Sequence, residues 1–219
     1  MQQEFQLVAL MDAIEKCNEK LNLVSFKNRK ELDIKHVRDS LALLNVFELV
    51  KGQRVLDLGA GGGFPGLPLA IMAPETEFVL VDSTTKKMLA VQENANELGL
   101  ENVKTVAERI ETLAHDDRYR EAYGLVVARA LAPLPTLLEY AAGFVCLHGM
   151  FVAYKSADFE AELEDAGNAM EKLGFEFMGP VDYALDEDMG AHSLLIFEKT
   201  EALDDKYPRK TGTPKKRPL

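Results

Sequence analysis

Apolar residues in the N-terminal part of the chain recur at helical spacing. A helix over residues 5–21 would carry on one face four apolar residues separated by steps of four, three and four: Leu10, Ile14, Cys17 and Leu21. After a polar turn, a second helical pattern runs from residue 31 to about residue 49. We therefore expect a helical N-terminal cap over residues 1–50.

Beyond residue 51, short apolar runs alternate with helical segments. The predicted strands are residues 54–58, 78–81, 103–106, 124–128 and 149–154. The predicted helices between and after them are residues 66–73, 85–98, 134–145 and 158–173. This alternation is typical of βαβ units, in which helices cover both faces of a parallel sheet. Two further strands, near residues 176–182 and 193–199, have no helix between them and predict a hairpin that adds an antiparallel edge.

These elements predict an α/β fold with a doubly wound, seven-stranded mixed sheet. We assign this Rossmann-like domain to residues 51–200, after the cap over residues 1–50. The remaining residues, 201–219, are predicted to form a basic, extended tail, because three prolines disfavour regular structure there.

Composition narrows the class of protein. Of the 219 residues, 47% are hydrophobic, which is enough for a core and excludes global disorder, collagen and coiled-coil fibres. No run of eighteen apolar residues occurs, and the first residues lack the basic start of an export signal, so we expect neither a membrane span nor secretion. Cys17 and Cys146 lie far apart in apolar patterns, which predicts buried free thiols in a reducing cytoplasm.

Charge is distributed unevenly along the chain. The 25 basic and 36 acidic residues give a net charge of −11. Residues 206–219 nevertheless contain no acid and six cations: Lys206, Arg209, Lys210, Lys215, Lys216 and Arg217. Because the acidic body would repel a polyanion, we expect this segment to contact one.

A glycine cluster follows the first predicted strand. In open α/β sheets, ligands bind at the carboxyl ends of the strands. Gly59, Gly61 and Gly63 would let the backbone turn sharply and approach a ligand closely. Asp57 precedes the cluster, and Asp82 ends the next strand.

Two cofactor classes compete for this loop. A dinucleotide motif, GxGxxG with Asp82 on a ribose hydroxyl, would place Pro65 in the turn and leave Gly59 without a role. S-adenosylmethionine fits better, because Asp57 can attract its ammonium group and Asp82 can bind its ribose diol. A third interpretation is structural: the glycines allow tight packing and both aspartates lie on the surface. The pattern favours the methyl donor.

Two more strand ends carry candidate residues. Ala107 and Glu108 follow the third strand, where a backbone amide and a carboxylate can meet an adenine edge, although Glu108 also suits the first turn of a helix. Arg129 ends the fourth strand and needs an anionic partner. The alternatives are the carboxylate of the methyl donor, an RNA phosphate and a structural ion pair.

The segment that begins with Arg129 also lacks a motif. Enzymes that methylate exocyclic amines commonly have Asn- or Asp-Pro-Pro-aromatic there, whereas this chain has Arg-Ala. A nucleophile that needs no proton removal is therefore favoured, and N7 of guanine, with its free lone pair, is one. Catalysis would depend on in-line positioning, and we assign no catalytic residue.

Together these motifs resemble the bacterial 16S rRNA guanine-N7 methyltransferase family, also called the glucose-inhibited division protein B family. The resemblance covers nearly the whole chain and depends on residues 21–25, 36–40, 57–68, 80–83 with 86–87, 129–133 and 207–214. It implies methyl transfer from S-adenosylmethionine to N7 of one guanine in the decoding-region loop of 16S rRNA. It also implies a cytoplasmic protein that acts on the small ribosomal subunit or an assembly intermediate, without a metal or a membrane.

The resemblance adds residue roles to those argued above. The predicted cofactor contacts are Asp57, Gly59, Gly61, Gly63, Phe64, Asp82, Ala107, Glu108 and Arg129, of which Phe64 is implied by the resemblance alone. The predicted RNA contacts are His36, Arg38, Lys86, Lys155, Arg209, Lys210, Lys215, Lys216 and Arg217. Structural alternatives stay open for many of them, since a histidine can be satisfied by the fold and lysines at helix starts are usually solvated.

Two other functions stay open at this point. One is a nicotinamide-dependent oxidoreductase. The other is a non-catalytic RNA-binding module on the same fold, against which the intact set of Asp57, the glycines and Asp82 argues.

Overall fold

The structure, a computed structural model, describes residues 2–156, 158–186 and 190–219. Its centre is one seven-stranded sheet in the order β3-β2-β1-β4-β5-β7-β6. The strands are β1 Arg54–Leu58, β2 Glu77–Asp82, β3 Val103–Ala107, β4 Tyr123–Arg129, β5 Val145–Ser156, β6 Phe175–Ala184 and β7 Ala191–Lys199. β1 to β5 pair in parallel, while β7 runs antiparallel to both β5 and β6. The predicted doubly wound mixed sheet is confirmed.

Helices cover the sheet and form the N-terminal segment. The α-helices are α1 Gln2–Asn18, α2 Arg29–Leu32, α3 Asp39–Leu41, α4 Gly66–Met72, α5 Thr85–Glu97, α6 Ile110–Leu113, α7 Leu134–Ala142, α8 Glu160–Asp165, α9 Gly167–Leu173 and α10 Thr213–Lys216. A π-helix, Asp33–Arg38, links α2 to α3, and a 3₁₀ helix, Ala42–Asn45, follows α3. The single helix expected over residues 31–49 therefore changes its pitch three times and ends at Asn45. The helix expected over residues 158–173 is divided into α8 and α9.

Each face of the sheet has its own hydrophobic core. Successive residues of a strand point to opposite faces, so Val55 of β1 joins one core while Leu56 and Leu58 join the other. The Val55 side also contains Leu10 and Ile14, two of the residues whose spacing predicted α1. The N-terminal helix therefore packs on the sheet domain.

The C-terminal segment is not extended, in contrast to the expectation. Tyr207 and Pro214 are buried, and Pro214 lies in the first turn of α10, where proline is tolerated. The side chain of Thr136 in α7 donates to the Pro214 carbonyl at 3.2 Å. Tertiary contacts hold this segment against α7. The boundaries at residues 50 and 200 stay predictions.

Within the described ranges, no helix is both long and apolar enough to cross a membrane. The same residues include no group of three or more His, Cys, Asp or Glu side chains that could hold a metal ion. Cys17 and Cys146 are free thiols, and each is half-buried rather than buried.

Candidate active site

The loop after β1 depends on glycine for two reasons. Gly59, Gly61 and Gly63 have φ angles of 71°, 54° and 92°, which favour glycine. The Gly59 amide donates to the Val81 carbonyl of β2 at 2.8 Å, which holds the loop over the sheet edge. A Cβ atom on Gly59 would lie 2.6 Å from a methyl carbon of Leu131. The loop backbone is therefore closely approached by the segment that follows β4.

Asp57 lies fully buried beneath this loop. Its Oδ2 accepts a hydrogen bond of 2.8 Å from the Gly66 amide at the start of α4. Among the described residues, none hydrogen-bonds its Oδ1. Burial raises the pKa of Asp57 to about 7, although the Gly66 amide acts in the opposite direction. One oxygen thus fixes the turn, while the other lacks the partner that a cationic ligand group would supply.

Asp82 supports the glycine loop from the end of β2. Its Oδ2 accepts from the Gly61 amide at 3.3 Å, and its Oδ1 accepts from the Thr84 amide at 2.8 Å. A small cavity of about 90 Å³ beside it is lined by Gly59, Asp82, Ser83, Glu108, Arg109, Ile110, Glu111, Leu131 and Tyr140. Ala107 pairs with Asp82 in the β2–β3 register. The predicted residues Gly59, Asp82 and Glu108 therefore line one cavity. The carboxylates of Asp82 and Glu108 can accept hydrogen bonds from hydroxyl groups such as those of a ribose diol.

Arg129, at the end of β4, is held by the N-terminal segment. Its Nη1 donates to Asp39 Oδ2 at 2.7 Å and to the Lys35 carbonyl at 3.0 Å. Its Nη2 lies 3.2 Å from His36 Nδ1, and its guanidinium carbon lies 5.6 Å from the centre of the Phe64 ring. Of the three anionic partners considered for Arg129, the one present is a protein carboxylate.

The π-helix explains how Lys35 can take part. The Asp39 amide bonds the carbonyls of Ile34 and His36, five and three residues before it, and omits that of Lys35. The Lys35 carbonyl, which an α-helix would bond to Asp39, instead accepts from Arg129. Single-turn π segments often occur at functional sites. This π-helix allows Lys35, His36 and Asp39 to hydrogen-bond the Arg129 guanidinium together.

A larger cavity of about 440 Å³ lies on the other side of Arg129. Its lining consists of Ser25, Lys35, His36, Asp39, Arg129, Ala130, Tyr154, Lys155, Ser156, Tyr183, Leu185 and His192. Arg129 and Ala130 line this cavity, whereas the next residue, Leu131, lines the smaller one. The short segment after β4 is therefore the boundary between the two cavities.

Several titratable groups of the larger cavity are held neutral. Burial and the nearby Arg129 charge lower the pKa of His36 to about 4. Its Nε2 lies 3.1 Å from the Ser25 carbonyl, so Nε2 carries the proton and Nδ1 accepts from Arg129. Burial raises the pKa values of Tyr154 and Tyr183 above the usual range. These three side chains are uncharged at neutral pH.

Comparison with known proteins identifies the family. The GidB family model, described as rRNA small subunit methyltransferase G, matches residues 3–179. The chain belongs to this family. The ribosomal RNA small subunit methyltransferase G of Desulfitobacterium hafniense is 41% identical over 208 residues, which are 95% of this chain and 86% of that protein. The protein of the same name from Staphylococcus saprophyticus is 39% identical over 218 residues, which are 100% of this chain and 90% of the relative.

Solved structures agree with this family in fold. The protein described as M. jannaschii TYW2 in complex with AdoMet aligns with a TM-score of 0.57 at 16% identity, over 82% of this chain and 79% of its own. A SAM-dependent methyltransferase from Aquifex aeolicus gives a TM-score of 0.58 at 17% identity, over 87% and 98%. Membership in the rRNA small subunit methyltransferase G family confirms the predicted methyltransferase and its cofactor, S-adenosylmethionine. The oxidoreductase alternative is not favoured.

The predicted RNA contacts fall into three groups in this family member. His36 and Lys155 line the larger cavity, where Lys155 Nζ binds Glu162 at 2.5 Å. The others, apart from Arg209, are exposed: Arg38, Lys86, Lys210, Lys215, Lys216 and Arg217. Arg209 instead forms a bidentate ion pair with the fully buried Glu139 of α7. The structure therefore gives Arg209 a role in holding the C-terminal segment.

Sequence reasoning missed several residues that line the cavities. They are Tyr140, Leu131, Tyr154, Tyr183 and His192. Tyr154 did carry a signal, because it ends a predicted strand at the edge where ligands bind. Tyr183 and His192 belong to the hairpin that was predicted only as a sheet edge, and no motif marked them.

Proposed function

We propose that this protein transfers a methyl group from S-adenosylmethionine to N7 of a guanine in the decoding-region loop of 16S rRNA. The printed names of its relatives support an rRNA substrate in the small subunit. The choice of N7 as the methylated atom rests on one observation. The side chains around Arg129 that could accept a proton already form hydrogen bonds within the protein.

Three side chains carry this observation. His36 uses one ring nitrogen as a donor and the other as an acceptor. Asp39 accepts from Arg129 on one oxygen and from the Tyr183 hydroxyl, at 2.5 Å, on the other. The Tyr154 hydroxyl donates to the Ser40 carbonyl at 2.8 Å, and burial disfavours its ionised form. N7 of guanine, which attacks without losing a proton, suits such a cavity.

The residues of the glycine loop fit the methyl donor. Bound there, S-adenosylmethionine supplies a methyl group on a positively charged sulfur. Asp57 Oδ1 would bind its ammonium group, and Asp82 and Glu108 would accept from its ribose hydroxyls. The other predicted contacts would enclose the methyl donor. Phe64 would contribute its ring, Arg129 its guanidinium, and the rest their backbone: Gly59, Gly61, Gly63 and Ala107. The chain contributes binding, orientation and exclusion of water, which together place the donor against the base.

Exposed cations on three segments of the chain support the RNA partner. Arg38 lies in the N-terminal segment, and Lys86 lies in the first turn of α5. The C-terminal segment carries Lys210, Lys215, Lys216 and Arg217. Such side chains bind phosphates and position a protein without reading the sequence. We propose 16S rRNA in the small subunit, or in an assembly intermediate, as the substrate, and hence a cytoplasmic location.

The test is to map methylation in small subunits that lack the modification. Incubation with the protein and S-adenosylmethionine should create one N7-methylguanine in the decoding-region loop, detected by reduction and strand cleavage. Gly59→Ala should lower it, because Leu131 must shift to make room for the new Cβ beside the cofactor loop. Gly52→Ala is the matched control: its φ of 75° is equally unfavourable to alanine, but its surroundings are open. Methylation of another atom would contradict the proposal. Equal activity in both variants would contradict the placement of the cofactor at the glycine loop.

A further inference from the structure

We propose that the larger cavity receives the target guanine and that Tyr183 and His192 form the aromatic wall on which the base stacks. This inference rests on the proposed function and extends it to the residues that recognise the substrate. Nothing in the family match or in the named relatives assigns a role to either residue.

The position of the cavity favours the acceptor base. Leu131 lines the small cavity beside the glycine loop, and the two preceding residues, Arg129 and Ala130, line the large one. Asp82 also lines the small cavity, so a donor bound at Asp82 lies on one side of this boundary, and the acceptor would approach from the other. A volume of about 440 Å³ falls in the range of small-molecule sites, so a single nucleobase can enter.

The aromatic wall is built and oriented before any ligand arrives. Tyr183 of β6 and His192 of β7 are register partners, and their rings stack with centroids 5.6 Å apart and planes 29° from parallel. The Tyr183 hydroxyl donates to Asp39, which also binds Arg129. The ring is thereby fixed to the group at the cavity boundary. Unstacked bases bind to such aromatic faces in RNA-protein complexes.

Charge at the cavity fits a nucleotide rather than an uncharged metabolite. The lining contains three cations, Lys35, Arg129 and Lys155, against one acid, Asp39, which pairs with Arg129. Lys35 pairs with Glu31, and its side chain is 45% exposed. Cations at this place suit the phosphates on either side of an extruded nucleotide. The combination of an aromatic wall with basic groups at its margin is the arrangement by which proteins hold single-stranded nucleic acid.

Histidine variants test the wall. His192→Asn should weaken binding of unmethylated small subunits about tenfold, because the base loses a stacking face. His192→Phe should bind like the wild type, since it keeps an aromatic ring. Binding is measured with S-adenosylhomocysteine present, so that no reaction occurs, and kcat/KM for small subunits is measured separately. His148→Asn is the matched control, because His148 is 71% exposed and lines none of the cavities named above.

Tyrosine variants separate stacking from the link to Asp39. Tyr183→Phe keeps the ring and removes only the donor, so it should retain substrate affinity better than Tyr183→Leu, which removes the aromatic face. Melting temperatures and calorimetric affinity for S-adenosylmethionine accompany every variant. Unchanged cofactor affinity with weaker subunit binding supports the proposal.

Three results would overturn it. Wild-type subunit affinity in both His192→Asn and Tyr183→Leu would show that the base does not stack there. An equal loss of cofactor affinity would assign the cavity to the donor. Failure of His192→Phe to methylate, with normal binding, would make His192 a proton acceptor and not a wall. The proposed function itself fails only if the wild type forms no N7-methylguanine, which is a separate readout.

Discussion

At the scale of single residues, Asp57 gives the site a pH dependence. Its pKa lies near 7 in the protein without ligand, because burial disfavours the carboxylate. A cationic ammonium group favours the carboxylate, so binding the methyl donor should release a proton below pH 7. We expect affinity for S-adenosylmethionine to rise with pH, by up to about tenfold per pH unit at the steepest point. Above about pH 7 the affinity should level off. Calorimetry in buffers of different ionisation enthalpy measures both the affinity and the proton release.

The control for this dependence is Asp57→Asn, whose side-chain oxygen can still accept from the Gly66 amide. Its affinity should be lower than that of the wild type at pH 7 and flat with pH. A wild-type profile that is also flat would contradict the assignment of Asp57 to the ammonium group.

The Asp57 carboxyl should also make folding stability depend on pH: stability should fall as the pH rises, whereas cofactor affinity should increase. Its folded pKa of about 7 exceeds the ordinary 3.8, so the native state holds the proton more tightly than the unfolded chain. The resulting stabilisation is fully present below pH 3.8 and is lost as the pH rises through about 7. Without ligand, the wild-type minus Asp57→Asn difference in unfolding free energy should therefore fall over this interval. Urea titrations at several pH values measure it, and a difference that rises with pH would refute the assignment.

The sequence predicted where the site residues lie in the fold more accurately than it predicted which groups they bind. The spacing of Asp57, Gly59 and Asp82 along the chain placed them at adjoining strand ends, which is a local property of βαβ units. The sequence left the partner of Arg129 open among three anions. That choice depends on Asp39, 90 positions away, and on the change of helix pitch that brings it near.

At the scale of elements, the contact between Asp39 and Arg129 fastens the N-terminal segment to β4. Both side chains are largely buried, at 8% and 14% exposed. Asp39→Asn leaves the guanidinium without its charge partner and should lower the unfolding free energy by about 3–5 kcal/mol. The matched control is Asp33→Asn, which removes an exposed pair with Arg38 in the same π-helix and should cost less than about 1 kcal/mol. Equal losses in urea unfolding would show that the buried pair has no special role.

A second element-scale contact fixes the C-terminal segment. Glu139 is fully buried in α7, and Arg209 meets both of its carboxylate oxygens. Arg209→Met should therefore lower the unfolding free energy by about 3–5 kcal/mol and make residues beyond 201 more accessible to protease. Lys210→Met, the same change at the exposed neighbouring position, should leave both properties near wild type. An unaffected Arg209→Met would contradict the structural role.

Elements defined by local pattern were predicted well, and those defined by tertiary contacts were not. Buried strands and amphipathic helices follow from runs and periods of apolar residues, so all seven strands were found. The π-helix and the folded C-terminal segment depend on Arg129 and Glu139, which lie far away in sequence. Pro208, Pro214 and Pro218 suggested extended chain, but Pro214 suits the first turn of α10 equally well.

At the scale of the whole molecule, an acidic protein is proposed to bind a polyanion. The net charge of −11 opposes association with RNA at long range. Four exposed cations of the C-terminal segment, Lys210, Lys215, Lys216 and Arg217, carry no competing acid between them, since residues 206–219 contain none. The ion pair between Arg209 and the buried Glu139 holds this segment against α7, whose Tyr140 lines the small cavity. This arrangement places positive charge near the proposed cofactor site despite the overall charge.

Replacement of these four cations by glutamine should therefore reduce the salt dependence of RNA binding. Each phosphate that is no longer bound should lower the slope of log affinity against log salt concentration by about 0.7–0.9, while affinity for S-adenosylmethionine should not change. The control replaces four exposed lysines elsewhere, Lys16, Lys20, Lys51 and Lys172, which alters the net charge equally. If the slope falls equally in the two variants, RNA responds to total charge and the C-terminal segment is no binding element. A reduction confined to the first variant means that local placement of cations, rather than net charge, brings the acidic enzyme to its substrate.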